Sequence, residues 1–157
     1  MEGTCARCFD GVASFFQASP KAKDPEYLPM VAVGAHMRGL PLNWQLQDRR
    51  AVFVKEAQTA KKYQLYAFES EKKPGLIQVN PSEKEAAQLT VEVWNVPVAE
   101  AGRFLAMVPP PLSIGHIELE TGEILHGFRT DEYNVIAKKA RHISHFGGWR
   151  NYLKSLV

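Results

Sequence analysis

The chain has little cysteine, no long apolar run and almost no net charge, and each shortage removes a class of function. Its two cysteines stand close together near the start, as Cys5-Ala6-Arg7-Cys8. A lone CxxC is half a zinc site or a redox pair, and a structural zinc needs two more ligands that nothing nearby supplies. Free thiols in a leader segment are therefore expected, with a reducing, cytoplasmic compartment as the default and no metal. No stretch approaches the roughly 18 apolar residues of a membrane span. The first residues also lack a basic segment followed by an uninterrupted apolar core, so no secretory signal is read. Formal net charge is +2, and the basic pairs Arg49-Arg50, Lys61-Lys62, Lys72-Lys73 and Lys138-Lys139 are short and separated. They read as solvated faces and give no footprint for nucleic acid. Internal repeats, a Walker loop, a dinucleotide fingerprint and a GxSxG elbow are all missing, and no serine hydrolase arrangement is readable from spacing.

What is present suits one folded domain. A chain of 157 residues buries roughly 70% of the surface its unfolded form would expose, so a core forms without staples. Residues 1–27 read as an appendage that is free to move. Phe9, Val12, Phe15 and Phe16 have helical spacing there, and Ser19 to Pro25 reads as linker. From residue 28 onward, strands are expected around Val31–Val33, Val52–Thr59, Tyr63–Phe68, Leu76–Val79 and Leu89–Val96, with Lys72-Lys73-Pro74-Gly75 as a turn. One or two helical turns fit Trp44–Ala51. A helix fits Val98–Val108, with Pro97 at its first position and Pro109-Pro110-Pro111 stopping it.

The first strand carries the best candidate for chemistry. Val31-Ala32-Val33 runs into Gly34, then Ala35-His36-Met37-Arg38, then Gly39-Leu40-Pro41-Leu42-Asn43. A strand end flanked by glycine can turn backbone N–H groups towards an anion, because no β-carbon blocks the approach. His36 then sits beside that anion.

The second half is a hairpin followed by a helix. Ile114 to Phe128 folds around Thr121-Gly122. Pairing Glu120 with Glu123 sets Ile117 opposite His126, and puts His126 on the apolar face and His116 on the polar one, so the two do not form a metal pair. A helix is expected from Val135 to Ser144, where His142 and His145 share a face without a third ligand. Gly147-Gly148 then ends it and lets Trp149 fold back onto the body. Strands, one helix, more strands and one helix give the α+β class with a mixed sheet that curls into a small barrel.

Several segments, in order, carry a resemblance: Val31 to Asn43, Tyr63-Gln64-Leu65-Tyr66-Ala67, Lys73-Pro74-Gly75-Leu76, Val91-Glu92-Val93-Trp94, Pro111 to Gly115, Gly127-Phe128 and Phe146 to Arg150. Together they resemble the allophanate hydrolase C-terminal domain over about residues 28 to 155. That domain is similar in fold to the gamma-glutamyl cyclotransferases, a small mixed β-barrel with peripheral helices, whose substrate-gripping loop corresponds to Gly34-Ala35-His36-Met37. The resemblance implies a chemistry: in allophanate hydrolase an amidase makes N-carboxycarbamate, and the C-terminal domain is implicated in its decarboxylation.

Two departures follow. The amidase and its Ser-Ser-Lys machinery are not in this sequence, so the chain is expected to act on a released intermediate or beside a separate amidase. The acidic residue of the cyclotransferases has no counterpart in Phe104-Leu105-Ala106-Met107-Val108-Pro109, and His142 stands where the allophanate hydrolase domain is expected to have an acidic residue. His36 is accordingly the expected proton donor and acceptor. Gly34, Ala35, Met37, Arg38, Asn43, Ile114, Gly115 and, if it reaches a pocket, His126 are the expected substrate-binding residues. The expected ligand is a small anionic metabolite, with no cofactor. A separate amidase and a second copy of the chain are the candidate protein partners. The rival functions are a non-catalytic binding or assembly module partnering a separate amidase and, more weakly, a divergent gamma-glutamyl cyclotransferase.

Overall fold

The strands divide into two sheets rather than closing into one barrel. The computed structural model describes residues 24–157, so Cys5, Cys8 and the spacing of Phe9 to Phe16 lie outside the described residues. The elements are β1 (Tyr27–Ala32), α1 (Asn43–Gln47), β2 (Val52–Gln58), β3 (Tyr63–Phe68), β4 (Lys73–Gln78), β5 (Thr90–Pro97) and α2 (Val98–Ala106). They continue with β6 (Ser113–Glu118), β7 (Ile124–Arg129), α3 (Glu132–Ala137), β8 (Arg141–His142), a 3-10 turn (Ser144–Phe146) and α4 (Trp149–Ser155).

The larger sheet has the order β2-β5-β1-β7-β6, and the smaller has β4-β3-β8. Among the described residues, β1 and β7 are the one parallel pair. The two outer strands of the larger sheet meet at one end, through a bridge between Thr59 and Leu119. Among the described residues no closed barrel forms, and β3 pairs with β4 and β8 in a sheet of its own. The sheets are stitched by the amide of Thr130 donating to the Leu76 carbonyl at 2.9 Å. Val31, Leu65, Leu89, Val91, Val96 and Ile117 are completely buried.

Four expectations from the sequence need correcting, each for a local reason. In the hairpin, the Leu119 amide donates to the Glu123 carbonyl and Gly122 takes φ +90°. The loop therefore holds three residues, ending in a glycine of positive φ, rather than two. That shift of one moves every partner: His116 faces His126, their ring centroids 4.8 Å apart, and Ile117 faces Leu125. The two histidines are cross-strand neighbours on one face, and among the described residues no third ligand joins them. Secondly, the expected helix from Val135 to Ser144 ends at Ala137. Lys139 takes φ +50° and the chain becomes β8 beside Tyr66 and Ala67, so His142 and His145 share no helix. Thirdly, Lys73-Pro74-Gly75 is not a turn but the start of β4, with Lys72 at φ +53° making the turn before it. Finally, Pro97 caps α2 in extended backbone (φ −54°, ψ 131°) and does not open it. Gly147 (φ +77°) does end the 3-10 turn, and Trp149 is buried.

Candidate functional site

The turn after β1 is built by short-range bonds before any side chain matters. The Met37 amide donates to the Gly34 carbonyl at 2.9 Å and the Leu42 amide to the Ala35 carbonyl at 2.9 Å. Among the described residues, the amides of Ala35 and His36 make no backbone bond. Asn43, buried at the start of α1, donates from Nδ2 to the His36 carbonyl at 2.7 Å. Gly34 is required by close approach: a β-carbon there would lie 2.3 Å from Cγ of Pro74.

His36 is only 8% exposed. Its ring stacks on Phe128, with centroids 4.5 Å apart and planes 14° apart, and meets the edge of Phe104 at 5.5 Å. Nε2 lies 2.7 Å from Oε1 of Gln45 on α1. An amide oxygen there puts the ring proton on Nε2 and leaves Nδ1 as the basic nitrogen. Burial pushes the His36 pKa below its ordinary 6.5, Gln45 opposes that, and the nearby Lys73 ammonium adds to it.

This lowered pKa has a consequence for stability. The unfolded chain binds the His36 proton more readily than the folded one, so His36 costs nothing above about pH 6.5 and destabilises the fold progressively as pH falls below it. The stability of the wild type relative to His36→Gln should therefore decline between about pH 7 and pH 5, read from urea midpoints. A pH-independent difference would contradict the lowered pKa.

A cavity of about 240 Å³ opens against this ring, lined by Gly34, Ala35, His36, Gln45, Lys73 and Phe128 and by an apolar wall from Met107 to Pro109 with Leu112. That is the space of roughly eight liquid waters at ~30 Å³ each, enough for a small dicarboxylate. No carboxylate lines it among the described residues. Among the described residues, Lys73 is the lysine that lines it. Ala35, Leu42 and Lys73 also border a larger apolar groove of about 640 Å³ along Trp149, Tyr152 and Leu153.

Of the residues expected from sequence, Gly34, Ala35 and His36 line the small cavity. Met37, Arg38, Asn43, Ile114, Gly115 and His126 do not. Met37 points into the core. Arg38 turns away to pair with Glu92 and to cover the Phe53 ring at 3.7 Å, and Asn43 acts on the backbone of His36 rather than on the cavity. Ile114 and Gly115 pair with Phe128 and Gly127 one strand away, and His126 lies beside Met30 and His116. Gln45, Lys73 and the wall from Met107 to Leu112 were missed. Lys73 reads from sequence as part of a solvated face, whereas the start of β4 brings it to the cavity. Elsewhere, Ser144 Oγ lies 2.7 Å from His142 Nε2, but it also accepts the Leu65 amide at 2.8 Å and so continues the β3–β8 ladder.

The family model for the allophanate hydrolase C-terminal domain matches residues 28–154. The chain belongs to that family. Its relatives include the urea amidolyases of Saccharomyces cerevisiae, 39% identical over 147 residues, and of Lachancea kluyveri, 37% identical over 140 residues. These matches take in 88% and 87% of this chain, but only 8% of each relative's length. Among solved structures, Kluyveromyces lactis allophanate hydrolase superposes with a TM-score of 0.79 at 37% identity, over 88% of this chain and 23% of that one. A uropathogenic E. coli-specific protein superposes at 0.73 with 30% identity, over 82% of this chain and 96% of that one. In that protein, the allophanate hydrolase C-terminal domain fold makes up almost the whole chain.

Proposed function

We propose that this allophanate hydrolase C-terminal domain decarboxylates an N-carboxycarbamate-like anion, with His36 moving the proton. The observation that carries this reading is that a buried imidazole, its pKa lowered by burial, and Lys73 line one small cavity. The substrate has two carboxyl groups on one nitrogen. In its monoprotonated form the carbon–nitrogen bond breaks, the electron pair stays on nitrogen, and the carboxyl proton must end there, giving carbon dioxide and carbamate. Nδ1 of neutral His36 takes the proton from the carboxyl oxygen and returns it to nitrogen, so no external acid is consumed. Lys73 and the amides of Ala35 and His36 hold the remaining carboxylate. The apolar wall excludes water, which strengthens these charge contacts.

A cavity without a carboxylate suits this reading better than cyclotransfer, which needs an acidic group. The second reading is a non-catalytic module that holds a separate amidase. It is favoured by the small share of each urea amidolyase that this domain represents.

The test is to supply allophanate to an isolated amidase and follow carbon dioxide release with and without this chain. The catalytic reading expects faster release at unchanged amidase turnover, whereas a docking module alters amidase turnover or nothing. Lys73→Met should raise KM on the order of tenfold and change kcat less, since a hydrogen bond to a charged group contributes about 1.5–3 kcal/mol. Equal KM values for wild type and variant would remove Lys73 from the site.

A further inference from the structure

One buried charge in the larger sheet is not used by the cavity. Glu92, in the middle of β5, is 1% exposed, and a carboxylate so deep is costly unless it is paired and hydrogen-bonded. Its partners all lead to the turn that carries His36. Glu92 Oε1 accepts the backbone amide of Arg38 at 2.7 Å, with Oε2 at 3.3 Å. Oε2 also receives Nε of Arg38 at 3.3 Å and Nη2 of Arg150, on α4, at 3.4 Å. The same Nη2 donates to the Arg38 carbonyl at 3.0 Å. The amide and the carbonyl of Arg38 are thus both gripped, one by Glu92 and the other by Arg150.

We infer that Glu92, completed by Arg150, is a positioning residue that fixes the His36 turn from below. The geometry separates two jobs. Asn43 and Gln45 hold His36 itself from α1. Glu92 holds the peptide two residues further on, from a central strand that cannot shift without breaking its pairing with β1 and β2. A backbone amide bonded to a carboxylate is a strong, charge-assisted contact, and the two arginines neutralise the charge while staying partly in water. Arg38, an expected substrate-binding residue, is itself one of the groups that meet Glu92. A site held from a rigid sheet keeps its reacting groups aligned, and a displacement of about 1 Å costs up to on the order of 10²-fold in rate.

The inference rests on the His36 reading for its catalytic part only. Its test uses the full chain carrying Glu92→Gln, which keeps the shape and one acceptor but not the charge, and Arg150→Met, whose half-exposed position tolerates change. Two quantities are read without any substrate: hydrogen exchange at the Arg38 amide, and the ring nitrogen shifts of His36 across pH by NMR. Glu92→Gln should speed Arg38 exchange about tenfold or more and move the His36 titration, with Arg150→Met doing the same to a lesser degree. In the carbon dioxide assay, kcat should fall about 10- to 100-fold with KM within about threefold.

If Glu92→Gln does not fold, Arg150→Met alone decides by the same measurements. Folded variants with unchanged Arg38 exchange and an unchanged His36 titration would overturn the positioning role. A wild type that releases no carbon dioxide would overturn the decarboxylase reading and leave the NMR result to judge Glu92.

Discussion

Replacing His36 with alanine should lower the acceleration of carbon dioxide release by on the order of 10²–10⁴-fold, the range of a positioned acid–base group. The expectation follows from what the ring touches. Phe128 and Phe104 fix its plane, Gln45 fixes its tautomer, and burial keeps it neutral near pH 7. A neutral base with one free nitrogen can accept a carboxyl proton and return it, and among the described residues His36 is the imidazole that lines the cavity. Alanine also leaves a gap beside Phe128, so stability should fall as well. His36→Gln separates the two effects: an amide fills much of the space but cannot carry a proton. Activity lost in both variants, with stability largely kept in the second, is the result expected from steady-state kinetics and urea unfolding. A fully active His36→Gln would remove the proton-moving role.

Gly34→Ala should be the most damaging single methyl group near the site. The added carbon would sit 2.3 Å from Cγ and 2.6 Å from Cδ of Pro74. Pro74 is a rigid ring on β4, buried and paired with Ala67, so neither side can yield cheaply. Overpacking of this kind costs about 1–3 kcal/mol, or roughly 2–12 °C in Tm for a domain of this size. The strain also displaces Ala35 and His36, so carbon dioxide release should fall with stability. Gly102→Ala is the control. Nothing lies within 4 Å of that position in α2, and alanine there should stabilise by about 0.5–1 kcal/mol. Thermal unfolding of both variants checks the contrast, and equal effects would mean the contact with Pro74 is not limiting.

The parts of the site that the sequence revealed were those made by local chain chemistry. An apolar strand ending in Gly34 before a histidine marks a turn whose backbone can approach a ligand, and that turn is where the cavity lies. The helix after Pro97 was equally legible, because proline punctuation acts within a few residues. Distant partners were not. Gln45 looks like any polar residue of a short helix, and Phe128 enters only once β7 lies parallel to β1. Lys73 was hidden by its neighbours: Lys-Lys-Pro-Gly has turn composition, yet Pro74 and Gly75 sit inside β4 because the sheet places them under Gly34 and Phe68.

The hairpin register failed by one residue for a similar reason. Thr121-Gly122 suggests a two-residue turn, while the positive φ of Gly122 closes a loop of three. Side-chain faces alternate along a strand, so that single step was enough to reverse the reading of His116 and His126. It also explains why Ile124, opposite Glu118, is exposed. Arg38 shows the same limit, since nothing local tells a chain that Glu92 will lie beside it.

The most direct measurement is a single-turnover experiment in which N-carboxycarbamate, formed briefly by an amidase that is then inhibited, is mixed with excess full-length chain and its disappearance is followed by carbon-13 NMR or stopped flow. The account predicts decay faster than the spontaneous reaction, saturating with protein concentration and abolished in His36→Gln. Decay at the spontaneous rate with the folded wild-type chain would contradict it.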